Sequence, residues 1–273
     1  RLAPLAEVVD TCPAVQYIAP TTEQEFSISA SFPIEVVSVG DELLDGLIRE
    51  GNALFLAERL AERGLAIRRH LLVRDDEEDL VAAMGSVARA GARACVVSGG
   101  LGPTDDDRTA SAAARALSVE RTRRTEWVEH LERRYASYGR QMRPNNLSQA
   151  DIPEGAALIW NHHGTAPGFS LDLDGCRFWF LPGVPREYRP MATEVVIPAI
   201  VDSAGAGDTS AATVKTFGLP ESEVDARLDG LAERTGAWVG FRASFPEVHV
   251  RLRGERVAVA AALEDCRERL GRA

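Results

Sequence analysis

The sequence predicts an α/β fold, a mostly parallel sheet with helices on both faces, followed by a small α+β unit. Three observations predict it. Short apolar strands alternate with amphipathic helices from Ile34 to Ser98, the rhythm of a parallel sheet covered on both sides. After Gly168 the pattern switches to two apolar-rich runs flanking Asp174-Gly175, the signature of a tight antiparallel hairpin. Residues 202–210, rich in Gly, Ala, Ser and Asp, suit a linker, and a second run of strands and helices follows them.

Each element has its own signal. Ile34–Val39 is a short apolar strand that ends at Gly40, and residues 52–63 place Ala53, Leu56, Ala57 and Leu60 on one helical face. Residues 65–73 read as the next strand. Residues 77–90 carry Leu80, Val81, Met84, Val87 and Ala88 at the spacing of a core-facing helix, and Ala94–Ser98 is the third strand. Trp127, Leu131 and Tyr135, spaced as on a helix within residues 126–138, read as a packing stripe. The second unit reads as a strand at 213–217, a helix at 221–234, a short strand near Trp238, a strand at 247–253 and a helix at 257–270. The last helix aligns Val259, Leu263, Cys266 and Leu270. Residues 1–33, which contain Pro4, Pro13, Pro20 and Pro33 and no sustained period, read as an extension. The folded units are then 34–204 and 211–273. The second is near the lower size at which a domain folds alone, so support from its neighbour or from another copy, and hence a homo-oligomer, is expected.

Composition excludes several classes. The chain has 273 residues, 45% hydrophobic and 26% charged, an ordinary globular mixture rather than a disordered one. A net charge of -10 opposes the counterion displacement that tight binding to a polyanion needs, so no nucleic-acid partner is expected. Cys12, Cys95, Cys176 and Cys266 are far apart and form no C-x-x-C pair, which excludes a zinc knuckle and reads as reduced core thiols. No window has the apolar length of a membrane span, and no basic start precedes an apolar run. The expectation is a cytoplasmic protein without a membrane partner.

Ligands of such a sheet sit beyond the carboxyl ends of its strands, so the loops there are where chemistry is sought. The sharpest is Ser98-Gly99-Gly100-Leu101-Gly102-Pro103-Thr104-Asp105-Asp106-Asp107. Three glycines after a buried strand allow a tight turn that points backbone N–H groups at an anion, and a helix expected near Thr104 adds its positive end. A turn capped by Thr104 or Asp105 accounts for one acid, not three. Consecutive carboxylates beside a phosphate are reconciled by a hard divalent cation, Mg²⁺, Mn²⁺ or Co²⁺, held by Asp106 and Asp107, on which Asp75 at a neighbouring strand end could converge. Two further loops, Gly164-Thr165-Ala166-Pro167-Gly168 and Leu181-Pro182-Gly183-Val184-Pro185, complete a three-loop set, the second opening a helix with proline near its first position. Gly40, Asp41 and Glu42 follow the first strand and Asp75 and Asp76 the second, where they serve equally as ligands or as helix caps. His162 and His163, adjacent on an extended segment, point to opposite faces and do not share an ion.

These motifs, in this order, resemble those of CinA proteins: Ser38-Val39-Gly40-Asp41-Glu42-Leu43-Leu44, Gly99 to Thr104 with Asp106, Asp107 and Thr109, Gly164 to Phe169, and Leu181 to Pro185. The second unit, with Phe217-Gly218 and Phe245-Pro246-Glu247-Val248, resembles the KH-type domain that follows in that family. The resemblance implies the molybdopterin-binding (MoCF) fold of MoaB and MogA proteins, oligomeric assembly, and a nucleotide or pterin phosphate as ligand. It further implies metal-dependent hydrolysis of the pyrophosphate of ADP-ribose or a related dinucleotide, with pterin or nucleotide binding without turnover as the alternative. Asp107 and Asp75 match the family's catalytic or metal carboxylates. Departures are Asp105 where glutamate is common, His162-His163 before Gly164, and Arg74 in place of a common glycine. The amidohydrolase activity of a further CinA domain is not expected from these residues.

Overall fold

The computed structural model describes residues 32–271, so nearly all of the extension, Cys12 included, lies outside the described residues. In chain order the first half runs β1 (Ile34–Val39), α1 (Asp41–Leu44), α2 (Asn52–Ala61), β2 (Ile67–Val73), α3 (Glu77–Arg89), β3 (Ala94–Ser98), α4 (Thr109–Leu117), β4 (Arg121–Arg123) and α5 (Thr125–Ser137). It continues through β5 (Asp151–Pro153), β6 (Ala157–Ile159), β7 (Gly168–Leu173), β8 (Cys176–Leu181), α6 (Pro185–Met191) and α7 (Ile197–Ser203). The main sheet has the order β2-β1-β3-β8-β7-β6. Its first four strands are parallel, and β7 and β6 add antiparallel to that edge.

Side-chain alternation along buried strands feeds two cores. Val36, Val96 and Trp179 face α2 and the α6–α7 segment through Leu56, Leu60, Tyr188 and Ile200. Val37, Val97 and Phe180 face the other way, onto Leu80, Met84 and Val87 of α3 and Ala112 and Ala113 of α4. The expected hairpin is present between β7 and β8: Asp174 and Gly175 have φ of 49° and 80°, the pair of positive values a two-residue turn of matching twist requires.

One irregularity places a charge inside. Between Ile34 and Glu35 the β1–β2 register slips by one residue, so Ile34 faces Ile67 and Glu35 faces Arg69. Successive strand residues ordinarily point to opposite faces; the extra residue lets both Arg68 and Arg69 reach the fully buried Glu35 carboxylate.

The second half comprises β9 (Thr209–Phe217), α8 (Glu221–Arg227), α9 (Leu231–Thr235), β10 (Trp238–Ser244), β11 (Glu247–Glu255) and α10 (Arg256–Leu270). Its antiparallel sheet, β10-β11-β9, has a separate core built from Val224, Val250, Leu252, Val259 and Cys266. The single helix expected over 221–234 is instead two: the first stops at Arg227, and Gly230, in left-handed backbone at φ 70°, caps the start of the next. At the join, the buried Thr209 hydroxyl sits against the carbonyls of Arg63 and Ala206. Among the described residues, no helix is long and apolar enough to cross a membrane.

Candidate phosphate-binding site

Strand β3 delivers the chain at Ser98 between β1 and β8, and the next two residues can only be glycine. A Cβ on Gly99 (φ 116°) falls 2.3 Å from the Val39 carbonyl, and one on Gly100 (φ 65°) falls 2.2 Å from the Thr109 hydroxyl oxygen. Thr109 locks this turn, its hydroxyl donating to Gly99 O at 2.9 Å and its N–H to Gly100 O at 3.1 Å. Asp107 then closes the loop on itself. Its carboxylate accepts from Gly102 N (2.6 Å), Thr104 N (2.9 Å) and the Thr104 hydroxyl (2.5 Å). The helix expected near Thr104 therefore begins only at Thr109, and neither Thr104 nor Asp105 caps it. Residues 101–108 stay non-helical because Asp107 takes the N–H groups of the turn and Gly100 takes the first N–H of α4. The positive helix end is correspondingly set back from the glycines.

The three glycine loops do converge. Gly183 approaches so closely that a Cβ there lies 3.3 Å from Gly99 Cα. Asn52, the first residue of α2, bridges them, its amide N–H groups donating to Ser98 Oγ (2.9 Å) and Gly183 O (2.8 Å). The resulting cleft of about 550 Å³ is lined by Ser98 to Pro103, Thr165, Ala166, Pro182 and Gly183, with Glu42, Asp75, Asp106 and Asp107 at its acidic side. A second cavity of about 510 Å³ shares the Gly100–Asp107 loop and reaches Arg108, Arg121 and Gln149.

Not every expected residue faces the cleft. Gly168 is buried where a Cβ meets Phe180 O at 2.8 Å, so its smallness serves strand packing. Gly164 covers Glu187, whose carboxylate occupies the place a Cβ would take. Leu101 anchors the loop in the core, while its carbonyl remains at the cleft. Gly40 donates its N–H to Val73 O and holds the start of α1.

The acids divide into two groups. Arg74, the departure from a common glycine, pairs with Asp41 (3.3 Å) and Asp45 (3.0 Å), so Asp41 is neutralised at the rim. Asp75 accepts the Asp41 N–H at 3.0 Å. Its carboxyl is pushed above the ordinary carboxylate range by burial, and further by the negative charges of Glu42, Asp41 and Asp106, against the lowering effect of that bond. Asp106, exposed, is held below that range by the nearby Thr104 side chain and its own backbone N–H. Among the described residues, no group of three or more His, Cys, Asp or Glu side chains is arranged to hold a metal ion. Asp75, Asp106 and Asp107, expected to share one, thus form no ready-made cage, since Asp107 serves its own loop. Asp75 in its field of like charges still fits a Mg²⁺-type ion, which keeps several waters and takes one or two carboxylates beside phosphate oxygens.

Behind the loops lies a support layer that the sequence reading did not single out. Fully buried Asn161 accepts the N–H groups of His163 and Gly164, each at 2.9 Å, and donates to Ala166 O and Glu187 Oε2, each at 2.8 Å. Trp127 donates its indole N–H to Thr165 O at 3.1 Å. Ser38 lies 2.8 Å from His70 Nε2 and donates to Glu50, which also accepts from the first N–H groups of α2. Burial lowers the His70 pKa, against the opposing charge of Glu50. Asn52, Asn161 and Gln149 look in sequence like ordinary cap and turn residues; their one distinguishing sign is a polar side chain beside core positions.

Fold and loops together define an MoCF-type domain, and residues 35–202 match the family model of the probable molybdopterin binding domain. Residues 211–273 match the KH domain of damage-inducible CinA proteins. The chain belongs to the CinA-like branch of the molybdopterin-binding-domain family. It is 42% identical over 245 residues to a CinA-like protein of Geobacter metallireducens, covering 86% of this chain and 59% of that one. A CinA-like protein of Geobacter sulfurreducens is 43% identical over 247 residues, with 87% and 60% covered. The chain thus spans about three fifths of the length of the curated relatives it matches. The crystal structure of the protein CinA with unknown function from Thermoplasma acidophilum superposes with a TM-score of 0.56 at 31% identity, covering 62% of this chain and 97% of that one.

Proposed function

We propose that the cleft binds the phosphates of a small nucleotide or pterin, and that the chain hydrolyses the pyrophosphate of ADP-ribose or a related dinucleotide with the aid of a divalent cation. The convergence of Gly99–Gly102, Thr165-Ala166 and Pro182-Gly183 on one cleft carries this reading. Bare backbone at these loops lets phosphate oxygens approach the N–H groups that the loops leave uncommitted, those of Gly99 and Gly102 being taken by Leu181 O and the Asp107 carboxylate. Asp75 and Asp106 are the carboxylates left to hold the cation, which when bound neutralises charge on the phosphates and acidifies a water. Asp107 keeps Gly102 and Thr104 in the conformation that shapes the cradle. Arg74 draws Asp41 away from the phosphates, and the 98–103 and 182–183 loops fix the ligand's position.

A second reading, binding of a pterin or nucleotide phosphate without turnover, is favoured by the commitment of the Asp107 carboxylate to Gly102 and Thr104 of its own loop. Incubation with ADP-ribose and Mg²⁺, Mn²⁺ or Co²⁺, followed by detection of AMP, separates the two. Cation-dependent AMP release supports hydrolysis; tight molybdopterin binding by calorimetry with no AMP from any cation supports the second.

A further inference from the structure

Two buried amide side chains in the cleft are left with an acceptor and nothing to accept from. Gln149 is 5% exposed and lines both the cleft and the second cavity. Its Nε2 stands 3.5 Å from Leu101 O and 3.4 Å from Thr165 Oγ1. A carbonyl can only accept, so the NH₂ end must face Leu101, and Oε1 is thereby turned away from it. Asn52, also 5% exposed, is oriented by the same logic through the Gly183 carbonyl. Neither Gln149 Oε1 nor Asn52 Oδ1 has a hydrogen-bond partner among the described residues.

Buried polar atoms are nearly always paired, and one left unpaired in a native site calls for a reason. Packing does not provide it: the two bonds of Gln149 are long, and an aliphatic side chain of its size would leave no orphan. Phosphate does not provide it either, because ionised phosphate oxygens accept and do not donate. A cradle for phosphate with unpaired acceptors closed into its wall suits a ligand with donors close to its phosphates, which the acceptors meet once the amides turn outward.

Resting on the nucleotide reading above, we infer that Gln149 is a specificity-determining residue, accepting a hydrogen bond from a sugar hydroxyl carried next to the phosphate or from the exocyclic amine of the base. Asn52 positions the loops and offers a second acceptor of the same kind. A site that hydrogen-bonds a ligand donor discriminates strongly against analogues lacking it, since the acceptor is then stranded. The cleft therefore selects nucleotide-like ligands over inorganic phosphate or pyrophosphate.

Calorimetric titration of wild-type protein and Gln149→Met with ADP-ribose, ribose 5-phosphate and inorganic pyrophosphate, Mg²⁺ present throughout, tests this. Gln149→Met preserves length and removes the acceptor. The expected result is a loss of about tenfold or more in ADP-ribose affinity, set against a change of less than about twofold for pyrophosphate. Ribose 5-phosphate affinity falling in parallel identifies a hydroxyl of the phosphorylated sugar as the donor, and a loss confined to ADP-ribose identifies a donor of its adenosine half, a ribose hydroxyl or the exocyclic amine. Equal losses for all three probes, or none, overturn the inference while leaving phosphate binding intact; they mean that Gln149 Oε1 serves a bound water or the loop alone. Wild-type protein that binds neither ADP-ribose nor pyrophosphate overturns the nucleotide reading and this inference with it. Should Gln149→Met fail to fold, Gln149→Asn, which keeps the amide and withdraws its oxygen by one methylene, carries the same comparison.

Discussion

Two aspartates that look interchangeable in sequence do different work, and conservative substitution separates them. Asp107 accepts from three donors within its own loop, so Asp107→Asn replaces one acceptor oxygen by an NH₂ facing an N–H or hydroxyl. That change is expected to lower stability by about 1–3 kcal/mol and to weaken nucleotide binding with it. Asp75 is the opposite case. Its carboxyl is raised above the ordinary range by burial and by Glu42, Asp41 and Asp106, so its ionised form is disfavoured in the folded protein. For an acid shifted upward, the stabilising contribution is complete below the unfolded pKa of about 3.9 and is lost as pH rises through the higher folded value. Cation binding needs the ionised form and strengthens over that same window. Asp75→Asn, which keeps an oxygen for the Asp41 N–H, should therefore raise the melting temperature at neutral pH while abolishing cation-dependent turnover. Thermal melts and AMP release on both variants decide the matter: a stable, inactive Asp107→Asn beside an active Asp75→Asn would reverse the two roles.

Among the secondary elements, the β1–β2 pair holds the costliest arrangement. Glu35 is fully buried, and two arginines reach it only because the register slips beside it. The arginines are partly exposed and only the carboxylate is buried, so it is their removal that strands a charge: Arg68→Ala with Arg69→Ala should cost about 3–5 kcal/mol in urea denaturation, whereas Arg177→Ala, which breaks a surface pair with Asp172, should cost at most about 1 kcal/mol. An equal, small loss in both would mean that Glu35 takes up a proton or reaches water once the arginines are gone. The slip itself left no mark in the sequence, since Ile67-Arg68-Arg69-His70 reads equally well as a regular strand. By contrast, Ile34–Val39, Ala94–Ser98 and the Asp174-Gly175 turn were legible because burial on both faces and positive φ each demand particular residue types. The start of α4 was not: Thr104 and Asp105 are good caps locally, and only Asp107 folding back on Gly102 and Thr104 moves the helix to Thr109. The three glycine loops were likewise legible as loops, while Asn52 and Gln149, which join them, depend on distant contacts that no local pattern encodes.

At the scale of the whole molecule, the order of two units could be read from the change in period and the small-residue stretch between them, and each has its own core. What sequence could not locate is a surface open to another copy, because an apolar residue in a loop carries no sign of whether the fold covers it. Here the fold leaves a run uncovered. Leu44, Leu47 and Ile48, between β1 and α2, are 45%, 76% and 52% exposed, and Leu54 on the first turn of α2 is 61% exposed. Scattered apolar residues on a surface need no explanation, but four within eleven positions form the kind of patch that marks an interface. The same segment borders the cleft through Leu43 and Ile48, so a second copy seated there would also narrow the entrance to the ligand. The expected outcome is an oligomer at micromolar concentration, with a mass by light scattering that is a multiple of the 29.5 kDa chain. Leu47→Asp with Ile48→Asp should reduce it to a monomer without lowering the melting temperature of the isolated chain, because neither side chain is buried in it, and should alter ADP-ribose affinity in the same preparation. A monomeric wild type discards the assembly, and a double variant that keeps the wild-type mass moves the interface elsewhere and releases the cleft from any dependence on it.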